Sequence, residues 1–299
     1  MKTATATRTQ TAARFEHILF ATDFSAAAAA AIPYVKEIAG HDQSNVVVLN
    51  VRPPVVNPMT VPESWPADVE AAQAIDKRHR EEIRAAFAGI RLEVVIQEGD
   101  VISVVNAAIE KHHIDLLVIG TRGRTGIKKF ILGSVAEEIF RDVSCPVLTI
   151  GPYSDSSPNG EFRKILYATD LSPESKGAAA YAASLAEAFE AELILLHVYP
   201  KSKAYTAESW AKIQEVSRDS LRKLLPPNIL DSRRPEYCVE SGEPAEQILS
   251  LANLSQADLI VLGARGKGGP SEAATHLPIA TAHKVVSQAM CPVLTIRHS

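Results

Sequence analysis

The sequence predicts an α/β protein made of two copies of one domain, each a doubly wound, mainly parallel sheet of five strands. Three observations carry that prediction. Four segments recur in the same order, 143 to 147 residues apart. Within each copy, short apolar runs alternate with helix-patterned runs, which implies a parallel sheet with helices on both faces. A glycine-rich basic loop follows one apolar run and opens a helix, an arrangement suited to holding phosphate groups.

The repeat comes first, because it halves the problem. His17-Ile-Leu-Phe-Ala-Thr-Asp-Phe-Ser25 returns as Lys164-Ile-Leu-Tyr-Ala-Thr-Asp-Leu-Ser172. Val48-Leu-Asn-Val51 returns as Leu195-Leu-His-Val198, and Asp115-Leu-Leu-Val-Ile-Gly120 as Asp258-Leu-Ile-Val-Leu-Gly263. Cys145-Pro-Val-Leu-Thr-Ile150 returns as Cys291-Pro-Val-Leu-Thr-Ile296. The expected domains are therefore 15–150 and 161–298, joined by a Ser- and Pro-containing linker at 151–160. A chain of 299 residues is long enough for both.

In the first copy, Ile18 to Ala21 reads as a buried strand. Ser25 is an N-cap for a helix over 26–39, with a kink expected at Pro33 and Gly40 as its C′ residue. The second copy has Ala180 where the first has Pro33. Val46 to Val51 is apolar on successive residues, as in strands buried on both faces. A Pro-rich loop at 52–66 leads to a polar helix over 68–88, then a strand at 92–96. Asp100 caps a helix over 101–111, and a fourth strand at 114–119 leads into the glycine loop. A helix over 134–142 and a strand at 147–150 close the copy. In such sheets ligands sit at the carboxyl ends of strands where the strand order reverses. Asp23, Val51 and the glycine loop all leave such ends, so they should surround one crevice.

Composition limits the functions. The chain is 46% apolar and 22% charged with a net charge of −4, which argues against a general nucleic-acid binder. No apolar run reaches the ~20 residues that span a bilayer. The first fourteen residues lack the apolar segment of a secretory signal and read as a flexible tail. Three widely spaced cysteines form neither a disulfide framework nor a metal motif, and a reducing cytoplasm is the simplest setting. His112-His113 point apart on a helix end, have no third ligand and read as surface; His276 and His283, seven residues apart, would share one helix face, with a metal or regulatory role as the minor reading. No catalytic residue and no metal site is assigned.

The loop itself carries the sharpest signal. Between Thr121 and Ala136 lie Arg122, Arg124, Lys128 and Lys129 and no acid. These cations fit either a phosphate-facing role or a solvated surface. Neither the Walker A pattern nor G-x-G-x-x-G occurs there. The spacing Gly120-x2-Gly123-x9-Gly133-Ser134 resembles the nucleotide-binding signature of the universal stress protein family, G-x2-G-x9-G-[ST]. Ala-Thr-Asp-Phe-Ser after strand one, Leu-Asn-Val after strand two and Cys-Pro-Val-Leu-Thr-Ile extend the resemblance over nearly the whole chain, as a tandem member.

The resemblance implies a strand order of 3-2-1-4-5 and an ATP ligand, with or without Mg²⁺. It implies that Thr22 and Asp23 contact the adenosine part, Val51 the adenine, and Gly120 the ribose side. Thr121, Arg122 and Gly123 would bring main chain to the phosphates, and Gly133, Ser134 and Val135 would hold phosphate oxygens. In copy two, Gly133 and Ser134 become Ile279 and Ala280, with a three-residue insertion and Pro278, so that copy is expected not to bind ATP in this way. The family's fifth strand pairs with a partner's, so the two copies are expected to form an intramolecular pseudo-dimer, with a further homodimer open. The expected function is a cytoplasmic ATP-binding stress or regulatory protein. A slow ATPase or nucleotidyl-transferring enzyme, or a scaffold without nucleotide, stay as alternatives.

Overall fold

The computed structural model describes residues 14–52, 65–120, 134–151, 154, 160–172, 175–203, 205–265 and 279–298. The N-terminal tail, most of the Pro-rich loop, the glycine loop at 121–133 and its counterpart at 266–278 lie outside the described residues.

The first half runs β1 (His17–Ala21), α1 (Ala26–Ala29), α2 (Ile32–Asp42), β2 (Asn45–Arg52), α3 (Trp65–Ala86), β3 (Arg91–Glu98), α4 (Val101–His112), β4 (Leu116–Gly120), α5 (Ser134–Asp142) and β5 (Val147–Ile150). The second half runs β6 (Lys164–Ala168), α6 (Ser175–Ala188), β7 (Glu192–Tyr199), α7 (Ala207–Arg222), α8 (Pro227–Arg233), β8 (Glu236–Ser241), α9 (Pro244–Ser255), β9 (Leu259–Arg265), α10 (Ile279–Gln288) and β10 (Val293–His298). Neighbouring strands within each half are parallel.

All ten strands form one sheet, in the order β3-β2-β1-β4-β5-β10-β9-β6-β7-β8. Each half shows the expected order 3-2-1-4-5. The halves join where β5 meets β10 antiparallel, with Leu148 opposite Leu294 at the centre of the register. On either side Thr149 Oγ1 donates to Val293 O (3.0 Å) and Thr295 Oγ1 to Val147 O (3.2 Å). The fifth strands, which would be open edges in an isolated domain, thus pair with each other.

The alternation of strand side chains divides the core into two layers. Ile18 and Phe20 point to one face, with Tyr34 of α2 and Ile83 of α3. Leu19, Val47 and Leu49 point to the other, with Val105 of α4 and Ile139 of α5. Both layers continue into the second half, so the core runs unbroken across the junction.

The helix expected over 26–39 is two helices. α1 stops after one turn at Ala29, and α2 restarts at Ile32 with Pro33 in its first turn. A proline there lacks only an N–H that would have no helical partner anyway, so a restart is cheaper than a kink. The second copy tests this: with Ala180 at that place, α6 runs unbroken from Ser175 to Ala188. Gly40 lies inside α2, whose C-cap is Gln43 in the left-handed region (φ 56°). The third strand is longer than expected, and β4 starts and ends later, at Leu116–Gly120.

Between the halves, α2 is a shared element. Tyr34 is 1% exposed, and its hydroxyl donates to Ser154 O at 3.2 Å. Its ring lies 5.8 Å from that of Phe162, and Phe15 stacks on Tyr181 at 5.9 Å. Gly160 (φ +76°) lies directly against the Pro33 carbonyl.

Candidate functional site

Chain direction defines the site. From β1 the chain moves to β2 and β3 on one side, then returns to β4 on the other. The strand order therefore reverses between β1 and β4, where Ala21 lies beside Ile119. A crevice at the carboxyl ends of these two strands is the expected ligand position in such a sheet.

Residues Thr22 to Ser25 turn the chain from β1 into α1, and the short polar side chains of Thr22, Asp23 and Ser25 are each bonded locally. The Thr22 N–H donates to Leu49 O (2.9 Å), extending the ladder by one bond. Thr22 Oγ1 accepts the Phe24 N–H (3.0 Å), and Asp23 Oδ1 accepts the Ser25 N–H (3.0 Å). Ser25 Oγ then accepts the Ala28 N–H (3.1 Å) as the helix cap. Between them Phe24 takes φ 59°, a left-handed conformation that needs local bonds to hold it. Asp23 is thereby fixed, half-buried, at the end of β1.

Of the other expected residues, Val51 lies near the end of β2 and packs, with Ala21, on the face carrying α4 and α5. Gly120 ends β4, paired in register with Ile150. Ser134 opens α5 and Val135 follows it. Thr121, Arg122, Gly123 and Gly133 lie outside the described residues. The sheet register brings Thr22, Asp23, Val51 and Gly120 to one end of three adjacent strands.

The opposite face of the same strand ends holds groups that the sequence did not single out as a set. Arg52 forms an ion pair with Asp76 of α3, and its carbonyl accepts the Gly99 N–H (2.9 Å). The His79 ring of α3 lies 4.2 Å from that of Phe24. Asn50, 7% exposed, donates from Nδ2 to Thr22 O at 2.8 Å. Back on the face that carries Val51, Asp100 is the N-cap of α4, accepting from Ser103 N–H (2.9 Å) and Oγ–H (2.7 Å). The backbone bond from Ser103 holds its carboxyl below the usual range. Asp23 and Asp100 thus both have structural roles, the first as a turn residue at the end of β1 and the second as a helix N-cap.

The second half repeats the turn bond for bond. The Thr169 N–H donates to Leu196 O (2.9 Å), Thr169 Oγ1 accepts from Leu171 (3.0 Å), and Asp170 Oδ1 accepts from Ser172 (2.9 Å). Leu171 has φ 63°. His197 stands where Asn50 does, and its Nδ1 bonds Thr169 O at 2.8 Å. A carbonyl can only accept, so Nδ1 carries the proton. Burial lowers the His197 pKa, opposed by that bond and by the charge of Asp170.

Around the turn the halves differ. Tyr199 replaces Arg52, sharing a 3.1 Å hydrogen bond with Ser217 of α7 and packing edge-on against His197 (4.6 Å) and Trp210 (6.1 Å). Ile279, in the place of Gly133, already belongs to α10, and Ala280 follows where the first half has Ser134. Lys284 of α10 reaches Glu243 and Glu246 at the start of α9, both at 3.2 Å.

Other titratable groups have structural explanations. His113 is the left-handed C-cap of α4 (φ 52°), and His112 Nδ1 lies 3.8 Å from Glu93. A groove of about 740 Å³ lies at the amino ends of β6 and β9, away from the reversal point. Its Asp258 accepts the backbone N–H groups of Arg163 and Lys164 (2.9 Å each), as Asp115 does those of Glu16 (2.7 Å) and His17 (3.1 Å). These carboxylates start β6 and β1 rather than mark a ligand site. Burial pushes the Cys238 and Cys291 thiols up to about 12, far from a reactive thiolate. Among the described residues no group of three or more His, Cys, Asp or Glu could hold a metal ion. No helix of the described residues is long and apolar enough to cross a membrane.

Comparison with known proteins gives one consistent result. The family model described as the universal stress protein family matches residues 14–151 and again 161–297. A universal stress protein of Thermus aquaticus is 34% identical over 139 residues, covering 46% of this chain and 99% of its own. One from Mycolicibacterium smegmatis is 25% identical over 301 residues, covering 94% of this chain and 96% of its own. The crystal structure of a universal stress protein from Archaeoglobus fulgidus shares the fold with a TM-score of 0.67 at 23% identity, covering 95% of this chain and 99% of that one.

Proposed function

The chain belongs to the universal stress protein family, and on that premise we propose that it is an ATP-binding regulatory protein of the stress response, with one competent nucleotide site, in its first half. One observation carries this reading. Thr22-Asp23 and Gly120 leave adjacent strands at the reversal point, and α5 opens at Ser134 at the end of the signature that starts at Gly120.

The residues present suit a nucleotide. Asp23 and Thr22 would meet the adenosine part, the Val51 main chain the adenine, and Gly120 the ribose. Thr121, Arg122 and Gly123 would bring main chain and positive charge to the phosphates. At the start of α5 the first N–H groups have no helical acceptor, and the helix dipole favours an anion there. Gly133, Ser134 and Val135 would hold phosphate oxygens through those N–H groups, with or without Mg²⁺ alongside. In the second half the sequence has a branched residue, Ile279, in place of Gly133, and Ala280 in place of Ser134 lacks its hydroxyl. That half is assigned no ATP.

ATP would then act by differential affinity, favouring whichever conformation of the chain binds it better. The test is calorimetric titration of ATP into the intact chain and into Gly133→Ile. The reading requires one site per chain, lost in the variant. No binding, two sites, or an unaffected variant would each refute it.

A further inference from the structure

Asn50 and His197 present an internal replicate. They occupy the same place in the two halves, at the carboxyl ends of β2 and β7, and are 7% and 8% exposed. Their side chains share neither shape nor acid–base chemistry. Yet each gives a single N–H to the same carbonyl at the same distance: Asn50 Nδ2 to Thr22 O and His197 Nδ1 to Thr169 O, both 2.8 Å. What is kept between the halves is the donor, and the residue that supplies it differs.

That carbonyl has a specific position. It belongs to the peptide group joining Thr22 to Asp23. The N–H of Thr22 is already held by Leu49 O (2.9 Å), so the strand and the Asn50 amide together hold Thr22 at both of its peptide groups. The next residue, Asp23, inherits its direction from that plane, because a peptide group is rigid. Beyond it Phe24 is left-handed, and its turn has no repetitive secondary structure to lean on. Without the Asn50 donor, the carbonyl would be left buried and unbonded, and the peptide would be drawn to rotate toward another donor. The carboxylate of Asp23 would turn with it.

We infer that Asn50 is a positioning residue for the nucleotide site: it touches no ligand, and it aims Asp23 by holding the Thr22–Asp23 peptide against β2. The inference rests on the nucleotide reading above. It also states what a substitute must supply, which is one N–H at this point and no charge.

The test is a double-mutant cycle read by ATP calorimetry on the full chain. Asn50→Ala should weaken ATP roughly tenfold, the scale of one lost buried hydrogen bond. Asn50→His, which installs the second half's own solution, should stay within about threefold of wild type, since the donor is restored. On an Asp23→Asn background, Asn50→Ala should cost less than about threefold, because its effect passes through Asp23. Asn50→Asp keeps the size but presents no donor, and should lose affinity as Asn50→Ala does, which covers the case in which the alanine variant fails to fold. Additive losses in the cycle, wild-type affinity in folded Asn50→Ala or Asn50→Asp, or failure of Asn50→His to rescue would overturn the positioning role. A wild-type chain that takes up no ATP would remove the nucleotide reading, and this inference with it.

Discussion

Gly160→Ala should be among the most damaging single-methyl additions to this chain. Gly160 has φ +76°, and a Cβ built there lies 2.5 Å from both C and O of Pro33 and 2.8 Å from Tyr34 N. All three are backbone atoms, so no side-chain rotation can relieve the overlap. Two costs add. Placing an L-residue in the left-handed region costs about 1 kcal/mol, and forcing a methyl into a packed contact costs about 1–3 kcal/mol. The expected loss is therefore about 2–4 kcal/mol, felt where α2 meets the segment leading into the second half. Two other glycines separate the costs. Gly89 has φ +86° with nothing within 4 Å of a Cβ, so Gly89→Ala should show the conformational cost alone, about 1 kcal/mol. Gly40 is exposed inside α2 with an open Cβ position, so Gly40→Ala should stabilise by about 0.5–1 kcal/mol. Urea unfolding of the three variants would measure this. If Gly160→Ala falls no lower than Gly89→Ala, the close contact with Pro33 is wrong, and with it the view of α2 as the element shared by both halves.

Three further outcomes follow from the same structure. Burial lowers the His197 pKa in the fold, so the unfolded chain binds the extra proton more readily. Its contribution to stability is complete above the ordinary value of about 6.5 and is lost as pH falls below it, down to the folded value. His197→Asn should therefore flatten the difference in unfolding free energy between pH 7.5 and pH 5.5; an unchanged slope refutes this. Tyr34→Phe removes the buried hydroxyl bond to Ser154 O and should cost about 1 kcal/mol by urea midpoint at constant m-value. A neutral Tyr34→Phe would mean that this bond does not contribute to joining the halves. At the candidate site, Gly133→Ile should abolish ATP binding while leaving the thermal unfolding midpoint nearly unchanged, a combination that a merely misfolded variant would not show.

Much of this architecture can be read locally. Strands buried on both faces are apolar on most successive residues, so Val46 to Leu49 and Leu116 to Ile119 declare themselves without a partner in view. Asp100 needs only its own next three residues to act as a cap. The repeat supplies the rest, since each segment is read twice. The sequence placed Asp23, Val51 and Gly120 at strand ends, and strand alternation with helices was enough to bring those ends together.

What the chain alone left open depended on atoms far apart in sequence. Whether a proline kinks a helix or restarts it turns on how the preceding turn packs, and only the folded α1–α2 pair decided for Pro33. The fifth strands could have paired within the chain or with another copy, and the register of Leu148 on Leu294 decided that. His197 is a packed residue, 8% exposed. Its equivalence to Asn50 appears only when Thr169 O and Thr22 O, each 28 residues away, are placed against the two side chains. The reason is general: residue type and spacing determine which local conformations are affordable, whereas a hydrogen bond or a close contact between distant segments exists only once the whole sheet has set their distance.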